Sequence, residues 1–184
     1  MNTPFSIETT KVGEGSLSER VGEVREKVFN WLKEEGFSPE EMEDPNAYFN
    51  FNVNVGGRPF NVVQNVLSLD SIYVTANLVF TPDKLTLLRN KMNKKKRKEY
   101  FWDLRLALLK NSDVGDFDIK PDPPDDVREV FVCSRKIFYD ALTKHKLLHA
   151  IHSAYKAYMM VIWMLEHYAD QPFPKEKKRA LFAV

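Results

Sequence analysis

The stretch YFNFNVNV at residues 48–55 alternates bulky apolar side chains with asparagines. Because successive side chains of an extended chain point to opposite faces, this period of two predicts a strand with one buried face. Gly56-Gly57 is expected to turn the chain, and the residues from Phe60 to Val66 return as a second strand. A similar alternation from Ser71 to Phe80 adds a third strand. Together these runs predict a three-stranded antiparallel meander.

Helices are expected on both sides of this meander. Apolar residues recur at helical spacing over about residues 16–35, and Gly36 is suited to end that helix in the left-handed conformation. Thr81-Pro82-Asp83 supplies a hydroxyl cap, a proline in the first turn and a carboxylate at the positive end of a second helix. Helical residues continue to about Lys110, but the apolar stripe changes phase within Lys94–Lys98. Either the helix bends there or two helices meet there.

The remaining sequence predicts two more strands and a closing helix. A short strand around residues 117–119 is followed by a proline-rich loop and by a β-branched, aromatic stretch from Val127 to Ile137. The closing helix, from about Tyr139 to Tyr168, is the longest predicted element. The order is helix, three strands, helix, two strands, helix. With short connections, it predicts an α+β fold in which an antiparallel sheet of about five strands carries its helices on one face.

The composition is that of one self-sufficient domain. Of the 184 residues 43% are hydrophobic, and 27 Lys and Arg balance 26 Asp and Glu. The whole molecule therefore lacks the cationic surface that steers proteins to nucleic acid or anionic membranes. We expect a flexible segment over residues 1–15, a single domain over 16–170 and a basic tail over 171–184. A lone cysteine, Cys133, and an N-terminus without an apolar signal region predict a cytoplasmic protein with no membrane partner.

Two stretches carry a resemblance to a known architecture: IYVTANLVF at residues 72–80, with the helix that follows it, and YFWDLR at residues 100–105. With the element order over roughly residues 17–168, they resemble the type III secretion chaperone-like fold that the YbjN-like sensory-transduction regulators share. More closely, the chain looks like an archaeal family of unknown function with that fold. The resemblance implies a protein that dimerises and holds client segments against its sheet and helices, although no motif for a client site carries over.

The closing helix offers the strongest signal for a protein partner. Its second half is apolar on more than one side, whereas one sheet can bury only one stripe of a helix. The surplus predicts contact with another helix, a second subunit or a client, and burial between the first helix and the sheet is the alternative. Methionines on this helix suit adaptable contacts. The expected interface residues are Tyr158, Met159, Ile162 and Trp163.

The polar face of the meander is unusual because it consists of asparagines. Asparagine is depleted in strands, and uncharged amides are buried at an interface more cheaply than charges. A simple solvent face is the favoured interpretation, and a surface that faces a ligand or a second subunit is the alternative. Its residues are Asn50, Asn52 and Asn54 on the first strand, Asn61 and Asn65 on the second, and Thr75 and Asn77 on the third.

Three histidines, His145, His149 and His152, share one face of the closing helix at a spacing that could ligate a metal. The intervening sequence HKLLHAIH lacks the glutamate of the metalloprotease pattern. A partly exposed stripe is therefore favoured, and we expect neither a bound metal nor a cofactor. A metal-dependent enzyme that uses these histidines remains an alternative.

A basic run could contact phosphates, and the aromatic residues Tyr100, Phe101 and Trp102 follow it, a combination that single-strand binders use. These aromatics stand where the apolar stripe resumes, so we expect them in the core and the basic run at a solvated bend. Nucleic-acid binding is thus an alternative rather than the favoured function. The run consists of Lys94, Lys95, Lys96, Arg97 and Lys98.

Catalytic motifs are missing from the sequence. It contains no nucleophile elbow, phosphate-binding loop or dinucleotide fingerprint. Cys133 lies in an apolar predicted strand, where its thiol should be inert. We therefore expect a non-enzymatic protein-interaction module, chaperone-like or regulatory, that forms a homodimer or holds a protein client.

Overall fold

The computed structural model describes residues 14–120 and 128–169. Residues 1–13 of the expected N-terminal segment, most of the proline-rich loop and the basic tail at 171–184 lie outside those ranges. Within them the chain forms four α-helices and seven strands. The helices are α1 (Glu14–Glu34), α2 (Pro82–Lys91), α3 (Lys94–Lys110) and α4 (Lys144–Tyr168). The strands are β1 (Glu40–Glu41), β2 (Ala47–Val55), β3 (Arg58–Asn65), β4 (Ser71–Val79), β5 (Val114–Lys120), β6 (Glu129–Ser134) and β7 (Ile137–Phe138).

The strands form one antiparallel sheet in the order β1-β2-β3-β4-β6-β5, and β7 pairs with β4 outside this path. The predicted meander is confirmed as β2, β3 and β4. The predicted count of about five strands is wrong, because β1 and β7 add two pairings of two residues each. A strand of two residues is too short to show the alternation of apolar and polar residues from which a strand is predicted. Gly56 and Gly57, both at positive φ, turn the chain between β2 and β3.

The change of phase in the middle of the chain marks a junction of two helices. Helix α2 ends at Met92 in an extended conformation, and the side chain of Asn93 accepts a hydrogen bond from the Lys96 amide to start α3. Arg97 Nη1 then donates to the Met92 carbonyl oxygen at 2.7 Å across the junction. Of the two predicted alternatives, a bend or a junction, the structure therefore has the junction of two helices.

Helix α4 begins five residues later than predicted. A single 3-10 turn at Tyr139–Ala141 comes first, and the Thr143 hydroxyl then accepts a hydrogen bond from the Lys146 amide at 3.2 Å. This cap satisfies one of the amides that the first turn leaves without an intrahelical partner. The helix that follows has 25 residues and is the longest in the described chain.

The core lies between the helices and one face of the sheet. Alternate strand residues, Phe51 and Phe60 among them, are fully buried there with Leu32 of α1 and Leu147 of α4. Helix α4 packs on β4 and β6, α1 packs on β2, and α3 packs beside α4 over β5. The strand residues of the core cluster all belong to this one face, so the opposite face, with the asparagines, is turned away from the core.

Leu108 and Leu109 provide a matched test of how α3 packs, because Leu108 is 1% exposed and Leu109 is 69% exposed. We expect Leu108→Ala to lower the free energy of unfolding by about 2–5 kcal/mol, since it leaves a cavity in the core. Leu109→Ala should change it by less than about 0.5 kcal/mol. Urea unfolding of both variants measures the difference, and equal losses would contradict this orientation of α3.

Candidate interaction surfaces

The side of α4 that faces away from the sheet carries a stripe of exposed residues, interrupted at the half-buried Met159 and Met160. Its members recur at helical spacing and comprise His145, His149, His152, Lys156, Trp163 and His167. Trp163 is 63% exposed, and Met159 and Ile162 beside it are half-buried. We call Met159, Met160, Ile162 and Trp163 the α4 patch.

The predicted interface residue Tyr158 lies inside the protein rather than at its surface. It is 4% exposed, and its ring meets that of Phe60 edge to face with 5.7 Å between centroids. The surplus apolar surface of α4 is therefore smaller than the sequence indicates, because α1 and α3 cover two sides of the helix. What remains exposed is centred on Trp163.

Helix α3 carries a second exposed apolar stripe. Trp102, Leu106 and Leu109 recur at i, i+4 and i+7 on the side opposite its buried residues, and all three are exposed. Tyr100 and Phe101 lie in the core as expected. The same expectation is wrong for Trp102, which is 61% exposed because one further step of about 100° turns it away from the sheet. We call the three exposed residues the α3 stripe.

Trp102 borders an open depression of about 370 Å3. Its other lining residues are Lys98, Glu99, Asp103 and Tyr168. The Tyr168 hydroxyl donates a hydrogen bond to the Asp103 carboxylate and so ties the end of α4 to α3. That bond to a carboxylate, together with burial, raises the pKa of Tyr168 to about 12. The depression thus combines an aromatic wall with groups of both charges.

Charge is strongly segregated along the chain. Residues 82–110, which hold α2 and α3, contain ten Lys or Arg and three Asp or Glu, a net charge of +7. The other 155 residues therefore carry a net −6. The predicted nucleic-acid residues Lys94–Lys98 form the first turns of α3, at the positive end of the helix dipole, with no acidic residue in the first turn. A cation is unfavourable at that end of a helix, so this region favours an anionic partner.

The asparagine face is largely satisfied by its own hydrogen bonds. Asn52 pairs in register with Asn61 and donates to its side-chain oxygen at 2.9 Å, and Asn77 donates to Glu129 at 2.7 Å. Asn54 accepts the Gly57 amide at 2.9 Å and so closes the turn between β2 and β3. These bonds explain most of the amides as links between strands and as turn caps.

Asn50 is the exception on this face. Its side-chain oxygen is buried and has no hydrogen-bond partner in the described part of the chain. The amide lies opposite Val63, and the neighbouring residue in the same direction is Tyr73 on β4. The interface predicted for Asn50, Asn52 and Asn54 therefore stays a prediction, with one unpaired acceptor to support it.

The three histidines of the alternative metal site are all exposed on α4. His149 Nδ1 lies 3.4 Å from the Ser153 hydroxyl, which donates to Asp113 at 3.1 Å. Among the residues that the structure describes, no three His, Cys, Asp or Glu side chains are grouped so that they could hold a metal ion. Metal binding by these histidines stays the alternative, and elemental analysis can test it.

No helix in the described ranges is long and apolar enough to span a bilayer.

Cys133 lies on β6, opposite Thr75 of β4 on one side and Asp116 of the edge strand β5 on the other. Burial, and then the Asp116 carboxylate, raise the pKa of its thiol to about 12. Because the thiolate is the reactive form, the thiol should be a poor nucleophile near neutral pH.

We therefore expect Cys133 of the folded protein to react with Ellman's reagent at pH 8 on the order of a hundredfold or more slower than free cysteine. Absorbance of the released thiolate dye measures the rate, and unfolding in urea should restore it. A native rate equal to that of the unfolded chain would contradict the placement of this thiol.

Comparison with known proteins places the chain in a family. It is similar to a protein whose structure is described as the crystal structure of an uncharacterized protein from Methanothermobacter thermautotrophicus, with a TM-score of 0.69 and 28% sequence identity. The similarity covers 78% of this chain and 96% of that archaeal one. No curated protein matches the chain. The family model described as "Uncharacterized conserved protein (DUF2299)" matches residues 24–165, from the middle of α1 almost to the end of α4. The chain belongs to the DUF2299 family.

Proposed function

We propose that this protein is a non-enzymatic protein-interaction module that pairs with a second copy of itself through the α4 patch. The observation that carries the proposal is Trp163, a large aromatic side chain that is 63% exposed on the central helix of the layer. Tryptophan is enriched among the residues that contribute most of the binding energy at protein interfaces. The half-buried Met159 and Ile162 beside it enlarge the apolar contact.

The α4 patch is suited to a copy of itself because it is uncharged. A two-fold interface sets the same surface of both subunits against each other, so a patch of one charge would repel its copy. The four residues of the α4 patch carry no charge. Methionines adapt their shape to a facing surface, which favours close packing across the axis.

The spacing along the outer side of α4 also favours an antiparallel pair. Lys156, Met159, Trp163 and Glu166 follow one another at intervals of three, four and three residues, the spacing of two-helix contacts. This set is symmetric about Val161. Two antiparallel helices centred there would set Met159 of one copy against Trp163 of the other. They would also bring Lys156 opposite Glu166, which adds charge complementarity.

The architecture of a type III secretion chaperone is part of the proposal. Its support is the order of elements, with a helix before the meander, helices between the strands and a long closing helix on the same face of the sheet. Chaperone-like or regulatory binding of a protein is the activity that such an arrangement favours. A cytoplasmic location, which suits the single unpaired cysteine, completes the proposal.

We expect the full chain to elute with twice the mass of one 21.5 kDa chain in size-exclusion chromatography with light scattering. Trp163→Glu should give a folded monomer, because it sets an unpaired carboxylate against the apolar Met159 side chain of the other copy. Trp102→Glu is the matched control, since Trp102 is equally exposed on α3 and should leave the dimer intact.

A strict monomer at every protein concentration would overturn the proposal. Loss of the dimer in Trp102→Glu alone would move the interface from α4 to α3. Circular dichroism of each variant establishes that the helices are retained.

A further inference from the structure

We propose that α3 is a second binding surface, which takes an acidic amphipathic helix from another protein. This inference does not rest on self-association through the α4 patch, because the two surfaces belong to different helices. It names a partner by its chemistry: apolar side chains along one face and carboxylates along one edge of that face.

The apolar part of this surface is the α3 stripe. Trp102, Leu106 and Leu109 span two turns, about 10 Å along the helix axis. All three side chains point away from the core, and Leu109 is 69% exposed. An amphipathic helix presents its own anchors at the same i, i+3, i+4 and i+7 spacing, so the two rows can interdigitate.

The two edges of the stripe differ in charge. Lys94, Lys98 and Arg105 lie along one edge, and the Arg105 guanidinium is held 4.7 Å over the Phe101 ring. Glu99 and Asp103 lie along the other edge together with Lys110, and Asp103 is bonded to Tyr168 of α4. A partner helix that lies on the α3 stripe therefore meets cations along the edge formed by Lys94, Lys98 and Arg105. Carboxylates on that side of the partner would be attracted, and lysines would be repelled.

The same charges argue against the other occupants of this surface. A second copy of α3 would bring two regions of +7 together, at an electrostatic cost that an acidic partner avoids. A nucleic acid would find the stacking face of Trp102 but would gain nothing from Leu106 and Leu109. An acidic amphipathic helix uses the cationic edge and the apolar stripe together.

The test uses the full chain and three fluorescent probes. One is a synthetic amphipathic peptide with leucines on one face and glutamates at its edges, the second has lysine in place of each glutamate, and the third is a single-stranded oligonucleotide. Fluorescence anisotropy should show the acidic peptide binding at least roughly tenfold more tightly than the basic one, with an affinity that falls as salt is raised.

Three variants separate the contributions. Leu109→Ser should weaken the binding of the acidic peptide roughly tenfold, because it removes an apolar anchor without disturbing the core. Lys98→Glu combined with Arg105→Glu should reverse the preference between the two peptides. Trp163→Glu should leave peptide binding unchanged, so that loss of the dimer and loss of this site are read separately.

Equal affinity for both peptides, or no binding of either, would overturn the inference. Tighter binding of the oligonucleotide, lost in the Lys98→Glu and Arg105→Glu variant but kept in Leu109→Ser, would overturn it in favour of a nucleic-acid surface. The unfolding midpoint of each variant, measured in urea, confirms that it is folded.

Discussion

The packing of α4 against strands β4 and β6 is the contact on which the rest of the structure depends. Its inner side is lined by small and branched residues, among them Ala154, Ala157 and Val161, which let the helix lie close to the sheet. The burial of each large side chain there, such as Leu147 or Ile151, contributes about 1.5–3 kcal/mol to the stability of the fold. Because α1 and α3 flank this helix, the three together close one face of the sheet. The far side of α4 is then the side of this helix that the described residues leave uncovered.

Charge divides the outer surface of the helices into two kinds of site. The α4 patch around Trp163 has no charged member and suits a second copy of itself. The α3 stripe around Trp102 lies beside cations and suits an acidic partner. The opposite face of the sheet differs from both. Its asparagines bond to one another and to turns, as Asn52 and Asn61 show, so most of its polarity is used within the fold. Large exposed apolar side chains, Trp102, Leu109 and Trp163, remain on the helices.

The sequence predicts the meander well, because the alternation at residues 48–55 has a single structural meaning. The sequence also shows where α2 and α3 meet, because one straight helix whose apolar stripe changes phase could not keep all of that stripe against the core. The prediction from the sequence is wrong for Tyr158, which is buried although it was expected at an interface. It is also wrong for Trp102, which is exposed although it was expected in the core. Periodicity shows that a helix has an apolar side, but neighbouring helices decide how much of that side is covered. The clustering of positive charge at residues 82–110 is visible in the sequence, whereas its position beside an exposed apolar stripe is not.

The central claim is that partners meet the helices rather than the asparagine face, and hydroxyl-radical footprinting at rising protein concentration tests it most directly. Trp163 and Met159 report on the α4 patch, while Tyr73 and Phe131 are half-buried on the opposite face of the sheet. The account predicts that oxidation of Trp163 and Met159 falls as the protein self-associates, and that oxidation of Tyr73 and Phe131 stays constant. Protection of Tyr73 and Phe131 with no change at Trp163 would contradict it.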